Sequence, residues 1–457
     1  MQQMTDTSVI ILWATQTGAD AVVRYGTDTS YSNSVAGSTR RTAIGTQLHR
    51  VELTGLQPNT SYFYKVFTDN EDLLSNELLS FQTAPIPGSD TPYSFIAFGD
   101  YGNSSHSQKQ LRDQMLRDSF RFILTTGDNA YPNGTYAQFN THVFQIYQDL
   151  FSRVPIFPTL GNHDYHTENG APYLDLFDLP QNAWRTADHE RYYSFDYGNA
   201  HFVALDSNLP LYTGDEVALD DMFDWLRQDL GQTTQRWKIV ALHLPAYSTS
   251  FHRPDSQIAR TKLVPIFEAY GVDLVLSGHE HIYQRSHPLR RGRVTTTEQG
   301  GIVYVISGAG SAASYRCDNA TWVAAAYCSQ SYGLYTRVTI NGNNLTVTAI
   351  DENGATRDSY TFTKISDVNI DGLEIDGPIT GLTGESYTFA ATASPITVTL
   401  PITYAWQATD QPPVVKIGGL VSTSPFTWTT IGTQTITVTA TNLHTTTSQT
   451  HTIVIKQ

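Results

Sequence analysis

Apolar runs with the length of buried strands alternate with longer amphipathic stretches through the middle of the chain, and no other feature restricts the fold as strongly. The predicted strands of this region are residues 93–98, 120–124, 237–242, 272–276, 334–340 and 345–350. The predicted helices are residues 107–117, 136–151, 216–230 and 259–270. Repeated strand–helix–strand units predict an α/β core in which helices cover the sheets.

A chain of 457 residues is long enough for about three domains of roughly 150 residues each. Residues 1–84 have the short alternating segments and turn residues of an all-β domain, and the proline-containing stretch 85–92 is a predicted linker. The α/β core is expected over 93–365. A second all-β domain is expected over 371–457, where the composition changes sharply.

The C-terminal segment, 371–457, contains 22 threonines, two lysines and no arginine. Its run 434–441 alternates threonine with apolar residues, which is typical of a half-buried strand. The pattern is similar to that of immunoglobulin-like or PKD-type sandwiches, which are often appended to secreted bacterial enzymes. We expect a structural spacer here rather than a specific binding module.

The N-terminal segment contains the run 56–64, in which a proline turn precedes a predicted strand rich in tyrosine. This run resembles the tyrosine corner of fibronectin type III domains, where a buried tyrosine hydroxyl bonds back to the backbone. Trp13 is expected to fill the core opposite. We therefore expect a fibronectin type III-like sandwich over residues 1–84.

Charge and cysteine content indicate which classes of partner the protein can have and in which cellular compartment it functions. Lys plus Arg is 28 and Asp plus Glu is 43, for a net charge of −15, so a nucleic-acid partner is not expected. No apolar run approaches the roughly 20 residues that span a bilayer, so membrane insertion is not expected either. Cys317 and Cys328 are expected to form a disulfide, the alternative being two buried free thiols. A disulfide favours a secreted or extracytoplasmic location, with any leader absent from this chain.

Five short polar segments follow predicted strands in the α/β core. They are Gly99-Asp100-Tyr101-Gly102, Gly127-Asp128-Asn129-Ala130-Tyr131, Gly161-Asn162-His163-Asp164, His243 after the strand 237–242, and Gly278-His279-Glu280-His281. The carboxyl ends of strands are where open α/β sheets place their ligand sites. A single histidine after a strand is usually an ordinary polar residue, but five such segments in order indicate one shared site.

The side chains in these segments are carboxylates, imidazoles, an amide and a phenol. This donor set suits iron, manganese or zinc, and the lack of thiolates excludes a cysteine-type structural zinc site. Seven candidate ligands are enough for two metal ions with open positions for water and substrate. Two-metal sites activate a hydroxide and neutralise a phosphoryl group during in-line attack.

The five segments resemble those of the calcineurin-like metallophosphoesterases, and more narrowly those of the purple acid phosphatases. The wider group has Asp-x-His in the first segment, where this chain has Asp100-Tyr101-Gly102. Tyr131, in a Gly-Asp-x-x-Tyr pattern, replaces the missing histidine, and this exchange marks the narrower group. The resemblance covers about residues 5–365, because plant-type members also carry the N-terminal sandwich. It implies a four-layer core of two mixed β-sheets flanked by helices.

The resemblance also implies how the ligands divide between two metal ions. Four residues would hold the first ion: Asp100, Asp128, Tyr131 and His281. Four would hold the second, with Asp128 shared: Asp128, Asn162, His243 and His279. The first set offers three anions if the phenol ionises, which favours Fe(III). The second has one shared anion and three neutral donors, which suits Zn, Fe(II) or Mn.

Further residues are expected to contact the substrate. His163 follows the ligand Asn162, and His252 lies where plant-type enzymes carry a phosphate-binding histidine. Either could protonate the leaving alkoxide. Asn162 and Arg253 are expected to contact the phosphate, and Asp164 to orient His163. The alternatives are a supporting hydrogen-bonding role for His163 and an ordinary surface position for His252.

The leading hypothesis is a binuclear phosphatase that hydrolyses small phosphate monoesters by attack of a metal-bound hydroxide. A phosphodiesterase or nucleotide hydrolase of the same superfamily is the alternative within enzymes, because the motifs describe phosphoryl chemistry and not the pocket walls. The alternative of another class is a surface-binding protein with an inactive phosphatase core. The oligomeric state is not indicated by the sequence.

Overall fold

A computed structural model describes residues 1–75, 77–209, 214–250, 257–364, 368–442 and 444–457. The N-terminal strands are β1 (Val9–Thr15), β2 (Val22–Gly26), β3 (Asn33–Ala36), β4 (Ser38–Arg41), β5 (Gln47–Leu53), β6 (Ser61–Thr68), β7 (Glu71–Asp72) and β8 (Leu79–Gln82). They form a β1-β5-β4 sheet and a β3-β2-β6-β7 sheet, with β8 also paired to β6.

Tyr62 has the contact expected of a tyrosine corner, since its buried hydroxyl accepts a hydrogen bond of 2.9 Å from the backbone N–H of Gln57. Trp13 is partly buried, its indole N–H donates to the Thr68 hydroxyl at 2.9 Å, and its ring stacks on His49. The Trp13–Thr68 hydrogen bond joins β1 of one N-terminal sheet to β6 of the other.

The central strands follow in chain order. They are β9 (Tyr93–Phe98), β10 (Ile123–Thr125), β11 (Ile156–Phe157), β12 (Tyr193–Tyr197), β13 (Ala200–Ala204), β14 (Trp237–Leu242), β15 (Leu274–Ser277), β16 (Tyr283–Ser286), β17 (Leu289–Arg290), β18 (Arg293–Val294), β19 (Val303–Ser307), β20 (Val323–Tyr327), β21 (Leu334–Asn341), β22 (Asn344–Asp351) and β23 (Thr356–Thr363). One mixed sheet has the order β11-β10-β9-β21-β22-β23, and the other has the order β12-β13-β14-β15-β19-β16-β20. A small β17–β18 hairpin stands apart from both.

Along the chain, most of the described helices connect one parallel strand to the next. They are α1 (His106–Met115), α2 (Tyr136–Gln138), α3 (Gln145–Phe151), α4 (Asn162–Tyr165), α5 (Ala171–Leu176), α6 (Glu216–Gln232) and α7 (Val264–Ala269). Wider π-helical turns, Phe139–Phe144 and Ala259–Leu263, lead into α3 and α7. Short 3₁₀ turns occur at Glu168–Gly170, Thr186–Asp188 and Thr297–Gln299. No helix in the described ranges is long and apolar enough to cross a membrane.

Aromatic side chains join the two mixed sheets face to face. Phe95 on β9 stacks on Phe122 with ring centroids 4.8 Å apart and meets Phe202 on β13 edge-on at 5.2 Å. Tyr147 of α3 packs on the outer side against Phe98, and Phe223 of α6 belongs to the cluster that covers the second sheet. The order is helix, sheet, sheet, helix, so the predicted four-layer α/β fold is confirmed.

The C-terminal strands are β24 (Gly372–Asp376), β25 (Thr380–Leu382), β26 (Ser386–Ser394), β27 (Ile402–Ala408), β28 (Val414–Gly418), β29 (Val421–Thr427), β30 (Gly432–Thr441) and β31 (Thr446–Lys456). They form a β24-β26-β29 sheet and a β25-β31-β30-β27-β28 sheet around buried Trp406 and Phe389. The N–H of Leu420 donates to the carbonyl of Ala269 at 3.0 Å, so this unit docks beside the end of α7. This contact lies near the amino-terminal ends of β14 and β15 in the second sheet, opposite their carboxyl ends.

A buried histidine fastens α6 to the edge of the second sheet. His201 on β13 contacts Asp196 on β12 at 2.7 Å and Asp229 on α6 at 2.8 Å. Burial alone would lower the pKa of His201, but the hydrogen bonds to the two carboxylates and their charges raise it to about 9. The protonated imidazole is therefore the form that this ion triad stabilises.

We predict that His201→Gln removes a stabilisation that depends on pH. Because the folded-state pKa is raised, the contribution is full below the unfolded value near 6.5 and is lost as the pH rises through about 9. Its upper limit is roughly 3 kcal/mol, from 1.36 kcal/mol per pKa unit. Urea unfolding at pH 6 and pH 9.5 should show a large difference from wild type only at pH 6. The exposed His106→Gln is the control, and an equal loss at both pH values would contradict the prediction.

Candidate metal centre

The five polar segments all begin within four residues of the end of a parallel strand. Asp100, Asp128 and Asn162 follow β9, β10 and β11 of the first sheet, which pair in parallel. His243 and His279 follow β14 and β15 of the second sheet, which are also parallel. The two sheets face each other, so these strand ends meet at one place at their carboxyl edges.

Three of the candidate ligands occupy an unusual backbone conformation. Asp100, Asp128 and His279 have φ angles of 58°, 50° and 68°, in the left-handed region. This conformation costs a non-glycine residue roughly 1–2 kcal/mol. The turn directs each side chain back across the strand ends. Local strain of this kind at three neighbouring strand ends points to a functional site.

Two glycines let the loops approach closely. Gly127 has a φ of +86°, and a Cβ there would lie 2.5 Å from His243 Nδ1. A Cβ on Gly161 would lie 2.0 Å from the backbone nitrogen of Asp128 and 2.2 Å from its Oδ1. The spacing between the β10 and β11 loops therefore depends on the lack of a side chain at Gly161.

Three side chains surround the phenol of Tyr131 and complete with it a first donor group of four. Its hydroxyl lies 3.1 Å from Asp100 Oδ1, 2.9 Å from Asp128 Oδ2 and 3.2 Å from His281 Nε2. The N–H of His279 donates to Asp100 Oδ2 at 2.9 Å and fixes that carboxylate. The structure thus brings together the same four residues that the sequence predicts around one metal ion.

A second donor group surrounds the amide oxygen of Asn162. Oδ1 of Asn162 lies 3.0 Å from His243 Nε2 and 2.9 Å from His279 Nδ1, and these two nitrogens are 3.3 Å apart. His243 Nε2 is also 3.4 Å from Asp128 Oδ1. Asp128 therefore faces one donor group with each of its oxygens. Ligand atoms of Asp100, Asp128 and His243 all lie within 4.8 Å of one another.

Backbone carbonyls select which histidine nitrogen faces the site. His243 Nδ1 lies 2.8 Å from the carbonyl of Thr126, and His281 Nδ1 lies 2.9 Å from that of Ala313. Because a carbonyl can only accept, both Nδ1 atoms carry the proton, and in the neutral ring Nε2 presents a lone pair to the site. The sequence analysis did not identify these carbonyls, since backbone acceptors leave no residue-type signal.

The electrostatics of the two donor groups suit a bound cation. Burial, together with the charges of Asp100 and Asp128, raises the pKa of Tyr131 well above its usual value. Burial would raise the pKa of Asp128 too, but His243 and His163 hold it below its ordinary range. Two buried carboxylates beside an amide oxygen and imidazole lone pairs form an acceptor-rich cluster, which a metal ion would satisfy. The donor set therefore fits the metals that the sequence predicts.

His163 reaches the edge of this cluster. Its Nε2 lies 3.9 Å from Asp128 Oδ2, its ring contacts that of Tyr131 at 4.4 Å, and its side chain is 29% exposed. Nδ1 of His163 is held 2.6 Å from the carbonyl of Pro132. His163 is thus accessible from solvent and has one nitrogen directed toward the donor groups.

The expectation that Asp164 orients His163 is wrong. The Asp164 carboxylate accepts hydrogen bonds from the N–H groups of Gly161, Asn129 and Ala130 and from the Asn129 amide. It braces the β10 and β11 loops against each other, while Pro132 orients His163. The sequence neighbourhood of Asp164 and His163 was misleading because helix α4 directs the two side chains apart. His252 and Arg253 lie outside the described residues.

The sequence analysis also missed a ring that lies against the cluster. Tyr315 stacks on His281 with centroids 4.2 Å apart and an interplanar angle of 15°. It lies two residues before Cys317, whose predicted disulfide with Cys328 is confirmed. Only the cysteine pair gave a signal for this segment, and it did not indicate where the loop folds.

Carboxylate, imidazole, amide and phenol donors at the carboxyl edges of two facing sheets are what the resemblance to the calcineurin-like phosphoesterases predicts. That family's model matches residues 93–283, and the model of the purple acid phosphatase N-terminal domain matches residues 1–83. The chain is thus similar to the purple acid phosphatases over both regions.

Individual relatives are distant in sequence. The chain is 27% identical over 300 residues to purple acid phosphatase 23 of Arabidopsis thaliana. This match covers 58% of this chain and 62% of that protein. It is 25% identical over 407 residues to probable inactive purple acid phosphatase 1 of the same plant, covering 78% of this chain and 64% of that protein. The chain thus matches somewhat over half of each relative's length.

A solved purple acid phosphatase from yellow lupin (Lupinus luteus) seeds shares the fold, with a TM-score of 0.66 and 21% identity. The match covers 79% of this chain and 73% of the lupin chain.

We predict that Gly161→Ala weakens metal retention by about tenfold or more, a loss of the size seen when the partners that orient metal ligands are altered. The added Cβ would overlap Asp128 at 2.0–2.2 Å, so the shared carboxylate must shift. Metal content after dialysis against a weak chelator measures the effect. Gly418→Ala is the control, because its nearest neighbour would be 4.0 Å away. Wild-type metal retention in Gly161→Ala would contradict the prediction.

Proposed function

We propose that this chain hydrolyses small phosphate monoesters at a pair of metal ions. The observation that carries the proposal is the position of Asp128, whose two oxygens face two separate donor groups. A carboxylate in this position can be shared by two ions. When bound, the two ions would supply a hydroxide nucleophile at neutral pH and neutralise charge on the phosphoryl group.

The charge of each donor group supports a choice of metal. Asp100, Asp128 and an ionised Tyr131 would give the first ion three anions, so we place Fe(III) there, with His281 as the neutral ligand. Asn162, His243 and His279 are neutral donors, and with the shared Asp128 they suit a divalent ion such as Zn, Fe(II) or Mn. Because the first donor group is anionic and the second is largely neutral, each group would retain a different ion.

We assign the proton donor of the reaction to His163. Its Nδ1 is fixed on the Pro132 carbonyl, so Nε2 is the nitrogen available to give a proton to the leaving alkoxide. Its partial exposure lets the ester group reach it from solvent. Asn162 would contact the phosphate from the second donor group. His252 and Arg253 remain proposed phosphate-binding residues on sequence grounds alone.

Two other functions remain as alternatives. A phosphodiesterase would use the same donor groups and differ in the walls of the pocket. A binding protein with an inactive core is the alternative of another class, and one relative carries the name of a probable inactive phosphatase. The seven candidate ligands favour activity, because all are present and converge. They are Asp100, Asp128, Tyr131, Asn162, His243, His279 and His281.

The flanking domains are proposed to take no part in the reaction. The C-terminal unit, residues 371–457, docks beside the end of α7, at the edge of the sheet opposite His243. We propose that it is a spacer and that residues 1–84 are a fibronectin type III-like support for the core. The disulfide supports a secreted or extracytoplasmic location.

The direct test compares p-nitrophenyl phosphate with bis(p-nitrophenyl) phosphate as substrates of the metal-loaded protein. A higher kcat/KM for the monoester supports a phosphatase. A higher value for the diester would favour the phosphodiesterase, and no turnover of either by protein that retains two metal ions would favour the inactive core.

We predict that His163→Ala lowers kcat by roughly 10²–10⁴-fold, the usual contribution of a general acid, while the metal content stays near that of wild type. The loss should be smaller for aryl esters, whose leaving groups need less protonation. His166→Ala is the matched control, since His166 lies beside His163 and its Nδ1 also approaches the Pro132 carbonyl at 3.2 Å. Loss of a metal ion from His163→Ala would show that His163 is a ligand.

We predict that the iron-loaded, oxidised protein is purple or pink and that Tyr131→Phe bleaches it. The colour would arise from charge transfer between the phenolate and Fe(III), and the variant also removes one anion from the first donor group. A visible spectrum with iron content from the same sample gives the result. Tyr101→Phe is a control, because its hydroxyl contacts Asn129 instead. A colourless iron-loaded wild type would refute the phenolate ligand.

A further inference from the structure

Tyr315 lies flat against the candidate ligand His281. Their ring centroids are 4.2 Å apart, and the Tyr315 hydroxyl is 3.4 Å from His281 Nε2. That nitrogen is the one directed toward Tyr131 and Asp100, because Nδ1 is on the Ala313 carbonyl. The hydroxyl therefore projects toward the donor groups and not toward the protein surface behind them.

A disulfide clip, formed by residues 314–317 and 328–330, holds Tyr315 in this position. Cys317 and Cys328 are bonded, the N–H of Ser329 donates to the Tyr315 carbonyl at 2.8 Å, and the Ser314 hydroxyl donates to Gln330 Oε1 at 2.9 Å. Three successive contacts thus join the segments 314–317 and 328–330.

The clip is also fastened to the loop that follows His243. Asp318 N–H donates to the carbonyl of Thr249 at 2.9 Å, and Ser250 forms a β-bridge with Cys317. The loop of one candidate ligand, His243, is therefore connected through the disulfide segment to the ring that covers another, His281. These contacts do more than close a surface loop, because they also fix the Tyr315 side chain against His281.

We propose that the Tyr315 hydroxyl donates a hydrogen bond to an oxygen of the phosphate group and that the disulfide clip holds it there. The inference rests on the proposed phosphatase function. The protein carries a net charge of −15, so an anionic substrate needs specific donors at the site rather than a general positive field. A phenol hydroxyl directed toward the donor groups is such a donor, and the stacked ring keeps it rigid.

The deciding variant is Tyr315→Phe, which keeps the stacked ring and removes only the hydroxyl. We expect KM for p-nitrophenyl phosphate to rise roughly threefold to tenfold with kcat within about twofold, because a neutral hydrogen bond made equally to substrate and transition state is lost. Binding of inorganic phosphate to the metal-loaded protein, measured by titration calorimetry, should weaken by the same factor. Metal content should match that of wild type.

Tyr327→Phe is the matched control, because Tyr327 directly precedes Cys328 as Tyr315 closely precedes Cys317. Its hydroxyl donates to the carbonyl of Arg357, so phosphate affinity should be unchanged. The double variant Cys317→Ser, Cys328→Ser should weaken phosphate binding as Tyr315→Phe does, because the clip is opened. Wild-type phosphate affinity in the double variant would overturn the role of the disulfide.

Wild-type KM and phosphate affinity in Tyr315→Phe would overturn the proposed hydrogen bond, and Tyr315 would then only pack against His281. That outcome is distinct from a failure of the proposed function. If wild-type protein with two metal ions neither turns over the ester nor binds phosphate, the phosphatase proposal fails before Tyr315 is tested.

Discussion

Two carboxylates buried side by side require a compensating positive charge, and the arrangement of the centre follows from that requirement. Asp100 and Asp128 are at most 1% exposed, and the hydroxyl of Tyr131 lies within 3.1 Å of both. Each carboxylate has one oxygen held by a backbone N–H, from His279 or His163. The remaining acceptor capacity, together with the imidazole lone pairs, is directed into one small volume that a cation would fill.

The fold meets this requirement by bringing the carboxyl edges of two sheets together. Parallel strands β9, β10 and β11 deliver the oxygen ligands of the first sheet, and β14 and β15 deliver the imidazoles of the second. Left-handed turns at three strand ends direct the side chains inward, and Asp164 braces two of the loops. Aromatic contacts such as that of Phe95 on β9 with Phe202 on β13 hold the two sheets against each other.

Much of this could be predicted from the sequence. The strands that precede Asp100 and His243 were predicted with the bounds that the structure gives, because strands buried on both faces are nearly continuous apolar runs, interrupted here only by Ser94 and Lys238. The β12–β13 hairpin was missed although two signals marked it: the Gly198-Asn199 turn and the alternating apolar and polar residues of Tyr193–Tyr197.

The remainder depends on tertiary contacts. Backbone carbonyls determine which histidine nitrogens face the site, and Asp164 forms hydrogen bonds with another loop. Tyr315 contacts His281 only because the disulfide segment folds back over the centre. No pattern along the chain encodes contacts between residues so far apart. The residue types and spacing therefore predict which side chains form the centre, whereas orientation and support are visible only in the structure.

A pair of metal ions sharing Asp128 is tested most directly by the number of metal ions per chain in the purified, metal-reconstituted protein. Inductively coupled plasma mass spectrometry measures this number after removal of free ions. We predict two ions per chain, with one of them iron, because Asp128 faces two complete donor groups. A folded protein that binds a single ion, or none, would contradict this prediction.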